Sequence, residues 1–311
     1  MPPQFPPRIT RSRSRQQATV ETKQSDEVQE RPPTSGLRAK AALGLTIGQF
    51  PEIPRLKTKT IPSRELKLLR LKQQKLRKSD GQIPVFLANH GRSSSDEPPH
   101  LTEAIAATLV FGQEAAGTAI CISASGLLLT CSHCVAESSD DLDMSKAHWL
   151  LFADGCIVQA KCVAWDARRD LALLQVISAQ DFTNPHISTF PHAELTSTPP
   201  KPNESLLCVG HPGSEDLEAD EPGILTDYDV LHISNGRFRG LAKGQDVQDN
   251  SDIGALQHDC WTYWGHSGAP LLSDDGKLVG LHSSWDDETG MRRGVAWEAM
   301  KAFLAKHLVV D

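Results

Sequence analysis

Short apolar runs separated by turn residues fill the chain from about residue 105 to residue 297. The runs are too short for most helices, and several alternate apolar with polar positions, which is typical of β-strands. Asp154–Gly155 and Asp275–Gly276 stand between neighbouring runs and favour hairpin turns. The pattern predicts an all-β domain, a barrel or a sandwich, with one helix over "EAMKAFLAKHL" at its end. The predicted strands are "AATLVFG", "GTAICIS", "LLLT", "HWLLFA", "CIVQAKCVAW", "DLALLQV", "SLLCVG", "YDVLHIS", "GRFRGLA", "PLLSD", "KLVGLHS" and "GVAW".

Residues 1–98 have a different pattern. They are rich in Pro, Ser and Gln and poor in aromatic residues, so they can bury little apolar surface to offset their chain entropy. One segment has helical character, because Ser63 can cap it and leucines at positions 66, 69, 71 and 76 form a partial apolar stripe. We predict a mostly disordered arm over 1–98 with a short helix near 63–78, followed by a folded domain over 99–311.

Charge separates the same two parts of the chain. Residues 1–100 hold 19 Lys and Arg against 9 Asp and Glu, whereas the remainder holds 13 against 30. The arm is therefore basic and the folded body acidic. A basic helix of this kind is compatible with nucleic acid, an acidic protein or an anionic membrane surface as a partner, and also with a solvated helix that has no partner.

Targeting signals are weak. No stretch of about 18 apolar residues is present, and the N-terminus lacks the apolar core of a secretory signal. Four arginines precede the first acidic residue, Glu21, as in mitochondrial transit peptides, but four prolines among the first seven residues oppose a helix there. Seven cysteines without a secretory signal favour a reducing compartment. The expected location is intracellular, cytoplasmic or nuclear, with a mitochondrial alternative.

The chemistry centres on "WGHSGAP", residues 264–270. Ser267 in this stretch is either a nucleophile or part of a turn between two strands. A serine hydroxyl needs an imidazole to accept its proton and a carboxylate to orient that imidazole. His133 follows an apolar run in "LLLTCSHC", and Asp170 begins another in "RRDLALL".

The motifs "LLLTCSHC", "DLALL" and "GHSGAP", in this order, resemble the trypsin/chymotrypsin superfamily of serine proteases. "GTAICISASGLLLTCSHCV" is most similar to the HtrA-like and glutamyl-endopeptidase branches. The resemblance implies two six-stranded antiparallel β-barrels with a boundary near 185–203. It also implies a serine endopeptidase that forms an acyl-enzyme from protein or peptide substrates without a cofactor. In that scheme His133 is the general base, Asp170 orients it, and Ser267 attacks the carbonyl.

The same resemblance assigns the oxyanion hole to the backbone N–H groups of Gly265 and Ser267. His266 stands where trypsins that are activated by cleavage have an aspartate, so activation of that kind is not implied. His266 is then either a plain loop residue or one that tunes the oxyanion loop.

Cys131 and Cys134 flank His133 in a Cys-x-x-Cys pattern. In trypsin the cysteine after the catalytic histidine pairs with one about 16 residues earlier. Here Thr118 occupies that place, so the bridge is not expected. No second cysteine pair has metal-ligand spacing, and we predict packed thiols and no metal site.

Substrate preference is expected to depend on Thr262, His282 and Ser283. A threonine five residues before the serine and a histidine fifteen after it resemble the pocket of bacterial glutamyl endopeptidases. A hydroxyl and an imidazole N–H can both donate to the side-chain oxygen of Glu or Gln; charged His282 favours Glu, and neutral His282 tolerates Gln. The alternative is a mainly hydrophobic pocket formed by the aromatic residues at 261, 263 and 264.

A second function remains open at this point. The domain is alternatively a protease-like scaffold without activity, whose basic arm binds nucleic acid, acidic protein or anionic membrane. The ordered set of three catalytic residue types favours the enzyme.

Overall fold

The structure is a computed structural model that describes residues 45–46, 53–57, 59, 61–79, 99–113, 117–180, 189–216, 219–221 and 223–309. These residues form two closed antiparallel barrels of six strands each and a helix near the C-terminus. The expected double-barrel fold is confirmed.

The first barrel closes in the strand order β2-β3-β4-β7-β6-β5. Every residue of β2, β3 and β4 is buried. The hairpin between β5 and β6 uses the predicted turn, in which Gly155 has a φ of 85° and the Cys156 N–H donates to Asp154 Oδ1 at 2.7 Å. The strands are β2 (Thr108–Phe111), β3 (Thr118–Cys121), β4 (Leu127–Thr130), β5 (Ala147–Phe152), β6 (Ile157–Asp166) and β7 (Leu171–Ala179).

The second barrel closes in the order β10-β13-β12-β11-β8-β9. Its core includes buried apolar side chains from β8, β11 and β12, such as Leu206, Leu271 and Val279. The strands are β8 (Ser205–Gly210), β9 (His232–Leu241), β10 (Leu256–His258), β11 (Pro270–Leu272), β12 (Leu278–Trp285) and β13 (Arg292–Ala296).

One pair of predicted strands is a single strand. "YDVLHIS" and "GRFRGLA" were expected to be separate, but β9 runs through Asn235 and Gly236, pairing with β8 in its first part and with β10 in its last. Gly236 serves close packing here rather than a turn, since a Cβ atom on it would lie 2.4 Å from the Cys260 backbone nitrogen. The sixth strand of this barrel is β10, whose three residues were too few to give a pattern.

The basic arm contributes a packed helix, α1 (Ser63–Ser79). Leu69 and Leu76 are fully buried against the first barrel. The buried Lys72 ammonium donates to the backbone oxygens of Phe111 at 2.9 Å and Gln113 at 3.0 Å. The short helix predicted near residues 63–78 thus forms over Ser63–Ser79, and its buried leucines and the hydrogen-bonded Lys72 ammonium pack it on the first barrel. Most of the remaining arm lies outside the described residues.

Further contacts join the chain ends to the barrels. Strand β1 (Leu45–Thr46) pairs in parallel with β14 (Leu308–Val309). Helix α2 (Pro99–Ala106) precedes the first barrel, and α3 (Trp297–His307) follows the second and buries Met300 and Phe303. None of the helices in the described ranges is long and apolar enough to cross a membrane.

If α1 is part of the folded domain, removing its buried side chains should destabilise the protein. We expect Leu69→Ala and Leu76→Ala each to lower the free energy of unfolding by about 2–4 kcal/mol, as for other buried leucines. Arg70→Ala, on the exposed face of the same helix, is the control and should change it by less than about 0.5 kcal/mol. Urea unfolding monitored by circular dichroism measures all three. Equal stabilities for the leucine variants and the control would contradict the packing of α1.

Candidate active site

His133 lies in a single 3-10 turn, Ser132–Cys134, directly after β4. Its side chain is 39% exposed, and its Nδ1 atom lies 2.8 Å from Oδ1 of Asp170. In the neutral imidazole, an Nδ1–H that donates to a carboxylate leaves Nε2 as the unprotonated nitrogen. The arrangement therefore gives His133 the tautomer in which Nε2 can accept a proton.

Asp170 precedes β7 and is almost completely buried. It has a φ of 54°, a left-handed conformation that aspartate tolerates better than most residues. Oδ1 accepts from the Ser132 hydroxyl at 3.0 Å, and Oδ2 accepts from the Ser283 hydroxyl at 2.8 Å. Burial alone would raise the pKa of this carboxyl, but the charge of His133 and the hydrogen bonds from His133, Ser283 and Ser132 lower the pKa below its usual value. Asp170 is thus held as a carboxylate.

The loop before Ser267 is a tight turn from Tyr263 to His266, closed by the His266 N–H donating to Tyr263 O at 3.0 Å. Gly265 is its third residue and has a φ of 95°, as a type II turn requires. The carbonyl of Trp264 accepts from the Gly213 N–H at 2.8 Å. Because the two groups of one peptide point in opposite directions, the Gly265 N–H faces away from Gly213.

Ser267 is held between the two barrels. Its carbonyl accepts from the Thr118 N–H of the first barrel at 2.8 Å. Its hydroxyl donates to the carbonyl of Ser283 on β12 at 3.1 Å. The next residue, Gly268, has a φ of 82°, and a Cβ there would lie 2.2 Å from the carbonyl oxygen of Thr118. Only glycine allows the serine loop to approach the first barrel this closely.

The three residues expected to bind substrate differ in their surroundings. Thr262 is buried, and its Oγ1 has no hydrogen-bond partner within the described ranges. His282 is also buried, with its Nδ1 3.1 Å from Nε2 of His258. The Ser283 hydroxyl faces Asp170, so this side chain supports the carboxylate, while its carbonyl accepts from Ser267.

His266 was expected to be either a plain loop residue or one that tunes the oxyanion loop. In the structure it packs beneath this loop. Its side chain is fully buried, and its Nδ1 lies 3.0 Å from the carbonyl oxygen and 3.2 Å from the backbone nitrogen of Tyr263, in the turn that carries Gly265. A Cβ on Gly210 would lie 2.2 Å from the His266 ring, so the imidazole packs directly on β8. The proximity of Gly210 and His266 could not be deduced from positions 56 residues apart in the sequence.

His266 belongs to a group of histidines in the second barrel. The rings of His232 and His266 have centroids 6.0 Å apart, and those of His266 and His282 are 6.5 Å apart. Burial lowers the pKa of each ring, with the neighbouring imidazoles adding to the effect on His266 and His282. Burial likewise lowers the pKa of His258 to about 3. The interior of this barrel therefore holds neutral imidazoles at pH 7.

The seven cysteines are all free thiols. The ligand-type atoms of Cys131, His133 and Asp170 lie within 4.8 Å of one another and are the one group of this kind among the residues described. Burial and the charge of Asp170 raise the pKa of the Cys131 thiol well above its usual value, which opposes the thiolate that a metal requires. The donor set therefore suits hydrogen bonding better than metal binding.

Known proteins are similar to this chain in sequence. Residues 117–281, more than half of the chain, match the trypsin-like peptidase domain family. The serine protease Do-like HtrA of Bacillus subtilis is 27% identical over 205 residues, which are 65% of this chain and 38% of that protein. The putative protease Do-like 14 of Arabidopsis thaliana is 26% identical over 175 residues, 53% of this chain and 34% of that one. The chain thus spans about a third of the length of these curated relatives.

A solved structure, the active form of a protease from M. tuberculosis, aligns with a TM-score of 0.48 and 19% identity. The alignment covers 67% of this chain and 84% of that one.

The buried histidines predict an acid-sensitive fold. Burial lowers the pKa of His258 to about 3, and that of His211 in the same barrel to about 4, whereas in the unfolded chain it is about 6.5. The unfolded state therefore binds more protons below pH 6.5, and stability present at higher pH is lost as the pH falls. Each such group should contribute a loss of about 1.4 kcal/mol per pH unit below that value.

Between pH 7.5 and pH 5, we expect the free energy of unfolding of His258→Gln to fall less than that of the wild-type protein. Below pH 6.5 the two slopes against pH should differ by about 1.4 kcal/mol per pH unit, the effect of one bound proton. His100→Gln, which replaces an exposed histidine, is the control for the substitution itself. Urea unfolding at several pH values measures the slopes. Parallel curves for wild type and His258→Gln would contradict a neutral His258.

Proposed function

Because this chain belongs to the trypsin-like peptidase domain family, we propose that it is a serine endopeptidase in which Ser267 is the nucleophile. The observation that carries the proposal is the 2.8 Å hydrogen bond between His133 and the buried Asp170, in a molecule that also places Ser267 at the junction of the barrels. His133 is the general base in this mechanism, and Asp170 fixes its tautomer and stabilises the imidazolium that forms.

The reaction begins when the Ser267 hydroxyl turns from the Ser283 carbonyl to Nε2 of His133. In free serine proteases this contact is often formed fully only with substrate bound. Oγ then attacks the peptide carbonyl while His133 takes its proton. The same proton passes to the departing amine as the acyl-enzyme forms, and water releases the acyl group by the reverse sequence.

The oxyanion of the tetrahedral intermediate accepts hydrogen bonds from the N–H groups of Gly265 and Ser267. The direction of the Trp264 carbonyl supports this role, because it turns the Gly265 N–H away from Gly213. Backbone donors fixed before the reaction begins need no reorganisation in the transition state. His266 acts here as a positioning residue, since its Nδ1 contacts the backbone of Tyr263 in the same turn.

We further propose a preference for Gln or Glu before the scissile bond. The buried Thr262 hydroxyl supports it, because a buried donor without a partner is costly unless a ligand completes it. Burial and the neighbouring His258 and His266 hold the pKa of His282 well below its usual value, so this imidazole is neutral and Gln should be preferred over Glu. The competing preference is for large apolar residues, which Trp261 and Tyr263 would favour.

Replacing the catalytic groups tests the mechanism. Ser267→Ala and His133→Ala should each lower kcat by about 10⁶-fold, since the triad acts as a unit. Asp170→Asn should lower it by about 10⁴-fold, the typical effect of the wrong imidazole tautomer. Peptide hydrolysis and labelling by a fluorophosphonate probe are the two measurements.

Ser145→Ala, at an exposed serine before β5, is the control and should keep both wild-type activity and labelling. Thermal unfolding verifies that each variant is folded. Wild-type labelling in Ser267→Ala would identify another nucleophile, and a folded wild-type protein that neither hydrolyses peptides nor reacts with the probe would support the scaffold instead.

The preference is tested with peptides that differ only before the scissile bond. Gln should be cleaved faster than Glu, and both faster than Leu, Phe and Lys. Thr262→Val keeps the shape but removes the hydroxyl, and should reduce the advantage of Gln over Leu by about tenfold, the value of one buried hydrogen bond. Thr198→Val, at an exposed threonine, is the control. Faster cleavage after Leu or Phe than after Gln by the wild-type enzyme would establish the apolar alternative.

A further inference from the structure

Thr118, the first residue of β3, lies where the first barrel meets the loop of Ser267, and it is fully buried. Its side-chain hydroxyl donates to the carbonyl of Gly265 at 2.9 Å and accepts from the backbone N–H of His211 at 3.2 Å. Both partners are backbone groups with a fixed role, because an N–H can only donate and a carbonyl can only accept. The single proton of the hydroxyl is therefore directed at Gly265.

Thr118 holds the serine loop at two carbonyls. One is the Gly265 carbonyl, and the other is the Ser267 carbonyl, which accepts from the Thr118 backbone N–H at 2.8 Å. The peptide unit between these two contains the N–H of Ser267, one of the two donors proposed for the oxyanion. Because peptide units are planar and both neighbouring units are anchored through their carbonyls, rotation of the middle unit is restricted on both sides. Thr118 thus fixes the direction of the Ser267 N–H.

The second proposed donor, the Gly265 N–H, is linked to the same hydroxyl through the segment after β8. The Trp264 carbonyl, which shares a peptide unit with this N–H, accepts from the Gly213 N–H at 2.8 Å. Gly213 belongs to the same short segment as His211, whose N–H donates to Thr118. The turn packs directly on this segment, since a Cβ atom on Gly265 would lie 2.5 Å from the His211 carbonyl oxygen. One hydroxyl therefore joins both sides of the oxyanion turn to the first barrel.

A second buried threonine connects Thr118 to the strand that precedes the general base. The Thr130 hydroxyl donates to the Thr118 carbonyl at 2.7 Å, and Thr130 is the last residue of β4, shortly before the turn of His133. Thr118 is thus bonded both to the segment of the base and to the loop of the nucleophile. Hydrogen bonds in such a buried setting are costly to lose, because the groups left behind are cut off from water.

We propose that Thr118 is a positioning residue for the oxyanion hole, whose hydroxyl holds the N–H groups of Gly265 and Ser267 in the direction that the tetrahedral intermediate requires. Preorganised donors stabilise charge that develops in the transition state and add little to the binding of the ground state. Loss of the hydroxyl should therefore lower kcat and leave KM nearly unchanged. This proposal rests on the proposed function, because it takes Ser267 as the nucleophile.

Thr118→Val tests this role, because valine keeps the shape of the side chain and removes the hydroxyl. We expect kcat for peptide hydrolysis to fall by about 10- to 100-fold, less than for removal of a whole oxyanion donor, with KM within about threefold of the wild-type value. Thr118→Ser keeps the hydroxyl and should keep most of the activity. Thr118→Ala removes the hydroxyl without placing a methyl group beside polar atoms, and it carries the same expectation if Thr118→Val does not fold.

Inhibitor binding separates positioning from a general structural effect. A peptide aldehyde adds to the serine hydroxyl and places its oxygen, as an oxyanion, in the oxyanion hole, whereas the matched peptide alcohol binds without forming this bond. Both inhibitors are built on the sequence that the wild-type enzyme hydrolyses fastest. For Thr118→Val, the inhibition constant of the aldehyde should rise by about 10- to 100-fold, in parallel with the loss of kcat, and that of the alcohol should stay the same.

Thr108→Val is the matched control, since Thr108 is also fully buried in the first barrel and its hydroxyl donates to the Ile105 carbonyl at 2.8 Å. It should lower the thermal unfolding temperature, as Thr118→Val does, but keep the wild-type kcat and the ratio of the two inhibition constants. An unchanged kcat and ratio in a folded Thr118→Val, or an equal rise of both inhibition constants, would overturn this proposal alone. A folded wild-type protein that neither hydrolyses peptides nor reacts with the fluorophosphonate probe would overturn it together with the proposed peptidase activity.

Discussion

A carboxylate that is removed from water stays charged only if nearby donors replace the solvent, and Asp170 meets this condition with groups from both barrels. Ser132 and His133 come from the turn after β4, and Ser283 comes from β12. The buried charge therefore requires the two barrels to meet in one register. Ser283 on β12 contacts both catalytic candidates. Its hydroxyl donates to Asp170, and its carbonyl accepts from the Ser267 hydroxyl.

A second constraint acts on the loop that carries Ser267, whose backbone packs directly against the backbone of neighbouring segments. Gly265 carries its turn at a positive φ, and Gly268 allows the loop to lie against Thr118. Beneath the loop, His266 packs on β8 as a buried ring. Burial and the neighbouring imidazoles hold the pKa of His266 well below its usual value, so the ring is neutral. Since the imidazole hydrogen-bonds to the backbone of Tyr263, the loop takes its conformation from internal contacts.

Much of this architecture could be predicted because it depends on local patterns. Alternating apolar positions indicated eleven of the twelve barrel strands, although they divided β9 and missed the short β10. The ordered motifs placed His133, Asp170 and Ser267 on the correct kinds of segment. The packing of α1 could not be predicted, because its burial depends on two leucines within a strongly basic sequence. The orientation of Ser283 toward Asp170 was also inaccessible, since it depends on how two strands more than a hundred residues apart meet.

Helix α1 carries part of the positive charge of residues 1–100, and the structure shows where that charge lies in the fold. A basic segment on an acidic body suggested a solvated arm, yet α1 brings Lys72 into the protein and Lys75 to the edge of a cavity beside the serine loop. On the β12 side of Ser267, burial and the neighbouring imidazoles hold the pKa of His282 well below its usual value, so this imidazole is neutral and lies among buried groups that include the Thr262 hydroxyl. Under the proposed function, such groups discriminate between substrates by hydrogen bonding, which depends little on salt.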